Sequence, residues 1–163
     1  MNSISRSKFS SVIAWFDSEA DTGNRGQGIA WLRVIPFILL HLACLAVFWV
    51  GYSHAALIAM IAAYSLRMFA ITGFYHRYFS HKTFKARIWV ESVFAFIGAA
   101  SAQRGPLWWA AHHRKHHRYS DTEKDLHSPR HGFLKSHMAW FLNYDAFGTD
   151  YEVIRDYAKR PFL

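Results

Sequence analysis

Residues 34–75 read VIPFILLHLACLAVFWV, GYSH and AALIAMIAAYSLRMFAITGFY, which are two long apolar runs joined by a short uncharged segment. The first run, residues 34–50, is close to the length that a helix needs to cross about 30 Å of hydrocarbon. The second run, residues 55–75, is interrupted only by Arg67. Two such runs separated by a tight turn predict a transmembrane helical hairpin over residues 34–75.

Basic residues flank this predicted hairpin and do not occur in its loop. The flanking basic residues are Arg25, Arg33, Arg77, Lys82, Lys85 and Arg87. Lys and Arg gather on the cytoplasmic side of membrane proteins, so we expect both termini to be cytoplasmic and the loop to be external. Residues 1–33 lack a short apolar core followed by a cleavage site, and they are predicted to form a cytoplasmic N-terminal segment.

The composition agrees with a membrane protein and argues against a nucleic-acid-binding one. Of the residues, 52% are hydrophobic and 18% are aromatic, and the formal net charge is +8. A basic protein this apolar is expected to lie against the anionic cytoplasmic face of a membrane. The only cysteine, Cys44, lies in an apolar run, so the sequence predicts neither a disulfide nor a thiolate metal site.

The remaining residues, 76–163, are predicted to form a cytoplasmic or interfacial helical region rich in histidine. A third apolar stretch, residues 88–102, is short for a membrane span and is expected to be an interfacial or partly buried helix. A histidine-rich helix follows it, and residues 131–143 are expected to form another short helix. The chain is therefore predicted to be all-α, with one domain that includes the hairpin.

Two clusters of histidine are the most informative feature of this region. The first histidine cluster, HRYFSH at residues 76–81, contains His76 and His81. Five residues apart on an ideal α-helix, they would point about 140° apart. They can bind at one place only if the helix frays there, or they can serve two neighbouring metals. The second histidine cluster, HHRKHH at residues 112–117, has His113, His116 and His117 at i, i+3 and i+4, on one helix face.

Metal binding explains these clusters better than other roles do. Neutral imidazole is a good ligand for iron, copper, nickel and zinc, and grouped imidazoles that become protonated repel one another. Binding a metal removes that penalty because it selects the neutral form. Alternatively, Arg114, Lys115 and Arg118 make the second cluster a basic face for anionic lipid. His112 is a possible additional ligand. The histidines expected to be structural, outer or surface groups are His41, His54, His127, His131 and His137.

The two clusters and their surroundings resemble a known family. GFYHRYFSH at residues 73–81 resembles the first histidine box, HxxxxH, of the membrane fatty acid desaturases. With KTFKAR at residues 82–87, it is most similar to the acyl-CoA Δ9 desaturases of the stearoyl-CoA type. HRKHH at residues 113–117 resembles the second box, HxxHH. The likeness continues through residues 119–122, 125–127 and 132–140, and it covers about residues 30–142.

This resemblance implies an enzyme with four transmembrane helices and two iron ions held by histidines of three boxes. Members of the family use O₂ and electrons from an external donor of the ferredoxin, cytochrome b5 or reductase type to desaturate an acyl chain. By resemblance, the metal ligands are His76, His81, His113, His116 and His117, with no catalytic residue besides them. Gln103 and Trp109 match positions that line the acyl tunnel.

The sequence also departs from the family pattern. It lacks the third histidine box and the second hairpin, so we expect an N-terminal portion that is incomplete as an enzyme. Ala111 and His112 stand where acyl-CoA enzymes carry an Arg-Asp pair that contacts CoA, which leaves an acyl-CoA and an acyl-lipid substrate both open. Two other functions remain: a membrane alkane or lipid hydroxylase, and a non-catalytic membrane protein that binds metal or anionic lipid.

Overall fold

The computed structural model describes residues 28–157, 159, 160 and 163. In chain order its helices are α1 (Trp31–Cys44), α2 (Val47–Val50), α3 (His54–Phe69), a π-helix (Ala70–Ser80), α4 (Ile88–Ala99), α5 (Pro106–Tyr119) and α6 (Phe133–His137), with 3-10 helices at Pro129–His131, Ala139–Leu142 and Tyr144–Ala146. The described residues contain no β-strand, only an isolated bridge between Ile29 and Asn143. The all-helical prediction is confirmed for this part of the chain. Most of the predicted N-terminal segment, residues 1–27, lies outside it.

One helix in the described residues is long and apolar enough to cross a membrane. It consists of α3 and the π-helix, His54–Ser80, which is 27 residues long, and an 18-residue window within it has a mean hydropathy of 1.7. Ser53 caps its start, where the Oγ accepts a hydrogen bond from the Ala56 N–H at 3.1 Å. The helix does not end at Tyr75, so His76 lies on the same continuous helix as the apolar residues.

The first apolar run is divided between α1 and α2, with a turn at residues 45–46. The apolar stretch Val34–Val50 is shorter than the span of α3 and the π-helix. Large apolar side chains on both helices are exposed, for example Leu39 at 58% and Trp49 at 82%. An apolar surface of this extent is unfavourable in water, so it needs an apolar environment.

The buried core lies where the π-helix, α4 and α5 pack together. Phe74 stacks on Phe94 of α4 with ring centroids 4.0 Å apart. The fully buried Tyr75 donates a hydrogen bond to the Ala95 carbonyl at 3.0 Å. A Cβ at Gly98 would collide with the Tyr75 ring, so this close crossing requires glycine. The core residues directly before the first histidine cluster are therefore fixed by α4.

The expected partly buried helix at residues 88–102 is present as α4, whose buried face includes Glu91. Glu91 Oε2 accepts hydrogen bonds from the Tyr78 hydroxyl at 3.0 Å and from Arg160 Nη1 at 2.6 Å. The buried carboxylate is thereby paired, as a charge in a protein interior must be. It links α4, the π-helix and the C-terminal residues.

The single short helix expected over residues 131–143 is replaced by two shorter ones, α6 and the 3-10 helix Ala139–Leu142. The 3-10 helix Pro129–His131 ends at Gly132, whose φ is 88°. This left-handed conformation is open to glycine and interrupts helical geometry. A second break follows at Met138, whose φ is −135°, between α6 and the 3-10 helix Ala139–Leu142.

Candidate metal centre

The π-helix brings together the two histidines of the first cluster. Its hydrogen bonds join residues five apart, as between the His81 N–H and the His76 carbonyl at 3.1 Å. This wider turn brings the directions of residues i and i+5 closer than they are in an α-helix, and the His76 and His81 rings lie 4.7 Å apart between centroids. The 140° separation expected for an α-helix is wrong for this segment. Neither fraying of the helix nor a second metal is needed to bring the two rings together.

Helix α5 adds two rings from the second cluster to this pair. The ring centroids of His113 and His76 are 4.6 Å apart, and those of His117 and His81 are 4.7 Å apart. His76, His81, His113 and His117 form one set whose ligand atoms all lie within 4.8 Å of one another. We call this set the four-histidine group.

The nitrogen positions within this group fit a bound metal ion. His113 Nε2 lies 3.0 Å from His81 Nε2 and 3.0 Å from His117 Nε2. An imidazole nitrogen carries either one proton or one lone pair, so His113 Nε2 can form a hydrogen bond with only one of these neighbours and the other close contact is left without one. Two imidazole nitrogens bound about 2.1 Å from one ion at a right angle would be about 3.0 Å apart. The separations of His113 Nε2 from the His81 and His117 nitrogens therefore match adjacent positions around a single ion.

The protonation state also favours a metal. Burial, followed by repulsion from His76 and the other nearby rings, lowers the pKa of His113 to about 3. Burial and the same kind of repulsion lower the pKa of His81 below its ordinary value. Both rings are thus neutral near pH 7, which is the form that binds metals. Trp109 stacks on His113, with ring centroids 4.7 Å apart, and holds the ring in place.

His116 belongs to a different set, although it was expected to share a helix face with His113 and His117. Its Nδ1 lies 2.9 Å from Asp125 Oδ2, and its ring stacks on His127 with centroids 4.0 Å apart. His116, Asp125 and His127 have ligand atoms within 4.8 Å of one another, and we call them the His116 group. The second cluster therefore faces two ways, with His113 and His117 toward the first cluster and His116 toward residues 120–128.

A cavity of about 610 Å³ lies beside both groups. Phe37 and His41 of α1 line one side of it, and Trp140 and Phe141 line another. Gln103 and Trp109, the two residues matched to a tunnel wall, are both in its lining, as are His113 and His127. Trp109 Nε1 donates a hydrogen bond to Gln103 Oε1 at 3.0 Å. An apolar chain in this cavity would thus come close to the histidines.

Residues 49–163 match the family model described as Fatty acid desaturase. The chain belongs to the fatty acid desaturase family. It is 34% identical over 112 residues to Delta-9 acyl-lipid desaturase 1 of Arabidopsis thaliana, an alignment that covers 69% of this chain and 36% of the relative. It is 34% identical over 135 residues to Icosanoyl-CoA 5-desaturase of Limnanthes douglasii, which covers 80% of this chain and 38% of the relative.

A third relative, sn-2 palmitoyl-lipid 9-desaturase of Nostoc sp. (strain 36), is 33% identical over 148 residues. This alignment covers 87% of the present chain and 51% of the relative. The chain thus spans about a third to a half of the length of the desaturases that it matches. These relatives are oxidoreductases of a membrane-bound, iron-dependent family.

His112 and His131 are not members of the four-histidine group. His112, considered as an additional ligand, is buried with its Nε2 3.3 Å from the Gly148 carbonyl. Burial lowers its pKa to about 4, so it is a neutral interior residue. His131 Nε2 lies 2.9 Å from the carbonyl of Asp125. Both rings lie against backbone carbonyls and belong to neither of the two groups.

Two members of the His116 group, Asp125 and His127, are not among the ligands that the sequence predicts. The sequence predicts an outer role for His127 and places Asp125 only within the family likeness. The signal that was present is the pair Asp125 and His127, two residues apart in a turn-rich segment. Asp125 Oδ1 accepts a hydrogen bond from the His127 N–H at 3.3 Å, which is a turn typical of aspartate. This turn directs both side chains to His116.

Proposed function

We propose that this chain forms part of an O₂-dependent fatty acid desaturase that introduces a double bond into a saturated acyl chain at a di-iron centre. The observation that carries the proposal is the convergence of His76 and His81 with His113 and His117 beside an apolar cavity. The alternative, a basic face that binds anionic lipid, requires exposed cations. It gives no reason for neutral imidazoles to be packed closely together.

The two groups suggest how the residues would share two iron ions. The four-histidine group would hold one ion, and His116 would contribute to the site of the other. When bound, iron supplies an oxidant able to remove hydrogen from an unactivated C–H bond, which no side chain can do. Asp125 accepts the Nδ1–H of His116 and leaves Nε2 of that ring free to bind.

The cavity supports an acyl substrate. Aromatic rings and aliphatic groups make up much of its wall, and Gln103 and Trp109 lie where they would guide a chain past His113. The names of relatives include a Delta-9 acyl-lipid desaturase and an icosanoyl-CoA 5-desaturase. We therefore propose an acyl-CoA or acyl-lipid substrate and a double bond at Δ9, with electrons from a ferredoxin, cytochrome b5 or reductase.

The exposed apolar surface of α1, α2 and α3 supports a membrane hairpin. Their apolar side chains would face lipid, and the uncharged residues 51–53 would form an external loop. Arg77, Lys82 and Lys85 would then lie at the cytoplasmic surface. The two histidine groups would also be cytoplasmic, next to the acyl chains of the membrane.

Product analysis tests the proposed reaction. The full reading frame that contains these residues would be expressed in membranes with iron, a reductant and an electron-transfer protein, and the acyl lipids would be analysed by mass spectrometry. We expect an unsaturated product that His113→Ala abolishes and His54→Ala, far from both groups, leaves unchanged. Residues 1–163 alone should give no product, because five box histidines do not complete two iron sites. A hydroxylated product would favour the hydroxylase instead.

A further inference from the structure

Arg114 lies inside the second histidine cluster, but its side chain reaches the end of the first. Its Nε donates to the Ser80 carbonyl at 3.0 Å, and its Nη2 donates to the Phe79 carbonyl at 2.6 Å. The Nη1 donates to the Val153 carbonyl at 3.0 Å. Both terminal nitrogens also bind the carboxylate of Asp156, at 2.8 and 3.0 Å. These bonds use all five N–H donors of the guanidinium.

The two carbonyls from the π-helix matter because of where they lie. Phe79 and Ser80 directly precede His81 at the C-terminal end of that helix, where carbonyls lack partners within the helix. A cation is favourable at such an end because of the helix dipole. Arg114 therefore fixes the last turn of the π-helix against α5, between the residues that carry His81 and His113.

Asp156 strengthens this connection from the other side. Its carboxylate binds Arg114 and also the ammonium group of Lys82, at 2.6 Å, and Lys82 directly follows His81. Burial alone would raise the pKa of Asp156, but hydrogen bonds from Arg114 and Lys82 lower it to about 2. The carboxylate is thus ionised and links residues next to both histidine clusters.

We propose that Arg114 is a positioning residue that sets the separation of the two histidine clusters and thereby the metal affinity of the four-histidine group. This inference rests on the proposed metal-binding function. The distance at issue is the 3.0 Å between His81 Nε2 and His113 Nε2, because the bonds from Arg114 hold the backbone beside each ring. Lysine cannot replace it, because an ammonium has three donors and no planar fork.

The test is a titration of the detergent-solubilised chain with Co²⁺, followed by its visible absorption. We expect Arg114→Lys to weaken Co²⁺ binding about 10- to 100-fold, the effect typical of residues that orient metal ligands. Lys115→Gln is the matched control. It removes the next cation on the same helix, whose ion pair is with Asp150 at 2.6 Å and partly exposed. It should change the affinity less than about fivefold.

A second comparison separates positioning from general stability. If Arg114 acts through the histidines, Arg114→Lys should add little to the loss caused by His81→Ala, because both changes disturb one unit. A generally destabilising change would instead give additive losses, and this result would overturn the inference. Circular dichroism shows whether each variant folds. If Arg114→Lys does not fold, Asp156→Asn provides the comparison and should weaken binding in the same direction.

The outcomes distinguish the inference from the function on which it rests. If the unmodified chain binds no Co²⁺, the proposed metal site is wrong and the inference fails with it. If the unmodified chain binds Co²⁺ and folded Arg114→Lys and Asp156→Asn variants bind it equally well, the metal site stands and only the positioning role is refuted. A selective loss with these variants, together with normal binding by Lys115→Gln, supports the role.

Discussion

Gly98 of α4 lies directly against Tyr75, on the helix that carries the first histidine cluster, so Gly98→Ala is a sharp test of this packing. A Cβ at this position would lie 2.6 Å from Cζ and 2.9 Å from Cδ1 of Tyr75. Ordinary contacts between such carbons are about 3.5–4.0 Å, so the two helices would have to separate by about 1 Å. The Tyr75 ring cannot turn away freely because its hydroxyl binds the carbonyls of Ala95 and Arg104.

Overpacking of this kind costs about 1–3 kcal/mol. For a chain of this size, a loss of about 2 kcal/mol corresponds to a fall in Tm of about 4–8 °C. Because Tyr75 directly precedes His76, we also expect weaker Co²⁺ binding. Thermal unfolding in detergent, followed by circular dichroism, measures the first effect, and the cobalt titration measures the second.

Gly105→Ala is the matched control for this substitution. A Cβ at Gly105 would meet no other atom within 4 Å, and the φ of −77° at this residue is one that any amino acid adopts. Its substitution should change the free energy of unfolding by less than about 0.5 kcal/mol. If Gly98→Ala unfolds at the same temperature as Gly105→Ala, the packing described for Tyr75 and α4 is incorrect.

Three further predictions concern pH, the His116 group and the membrane. The folded pKa of Asp156, about 2, lies below its ordinary value of 3.8, so its contribution to stability is present above about pH 4 and lost as the pH falls toward 2; Asp156→Asn should flatten that part of a Tm-against-pH curve, and an unchanged curve would contradict the ion pair. Asp125→Asn should weaken metal binding at His116 about tenfold while the four-histidine group keeps its affinity, as two-site titration would show; an equal loss at both sites would argue against separate groups. In a chain in which Cys44 is replaced, Tyr52→Cys should react with an impermeant thiol reagent from outside the cell, whereas Ser136→Cys should react only after lysis. The reverse pattern would refute the proposed orientation.

Much of the fold follows from patterns that the sequence displays directly. Apolar runs predict α1 and α3, and the partly buried helix at residues 88–102 appears as α4. The i, i+4 spacing of His113 and His117 places both rings on one face of α5 toward the first cluster. These features depend on local periodicity, which a single sequence carries.

Other features depend on contacts between distant residues. The π-helix at Ala70–Ser80 has no distinctive local composition, and its five-residue spacing brings His76 to His81 only in that wider form. Asp125 reaches His116 because a turn folds back on α5. Arg114 meets Asp156 across 42 residues of sequence, a pairing that spacing does not reveal. The sequence therefore indicates the candidate metal ligands better than it indicates how they are grouped.

The most direct test of the four-histidine group is X-ray absorption spectroscopy of the chain loaded with one equivalent of Co²⁺. We expect about four imidazole nitrogens at about 2.1 Å, with the multiple scattering that imidazole rings produce. His81→Ala and His117→Ala should each remove one nitrogen, whereas His137→Ala should remove none. A coordination shell dominated by oxygen, or one that does not change in His81→Ala, would contradict the convergence of the two histidine clusters on one metal ion.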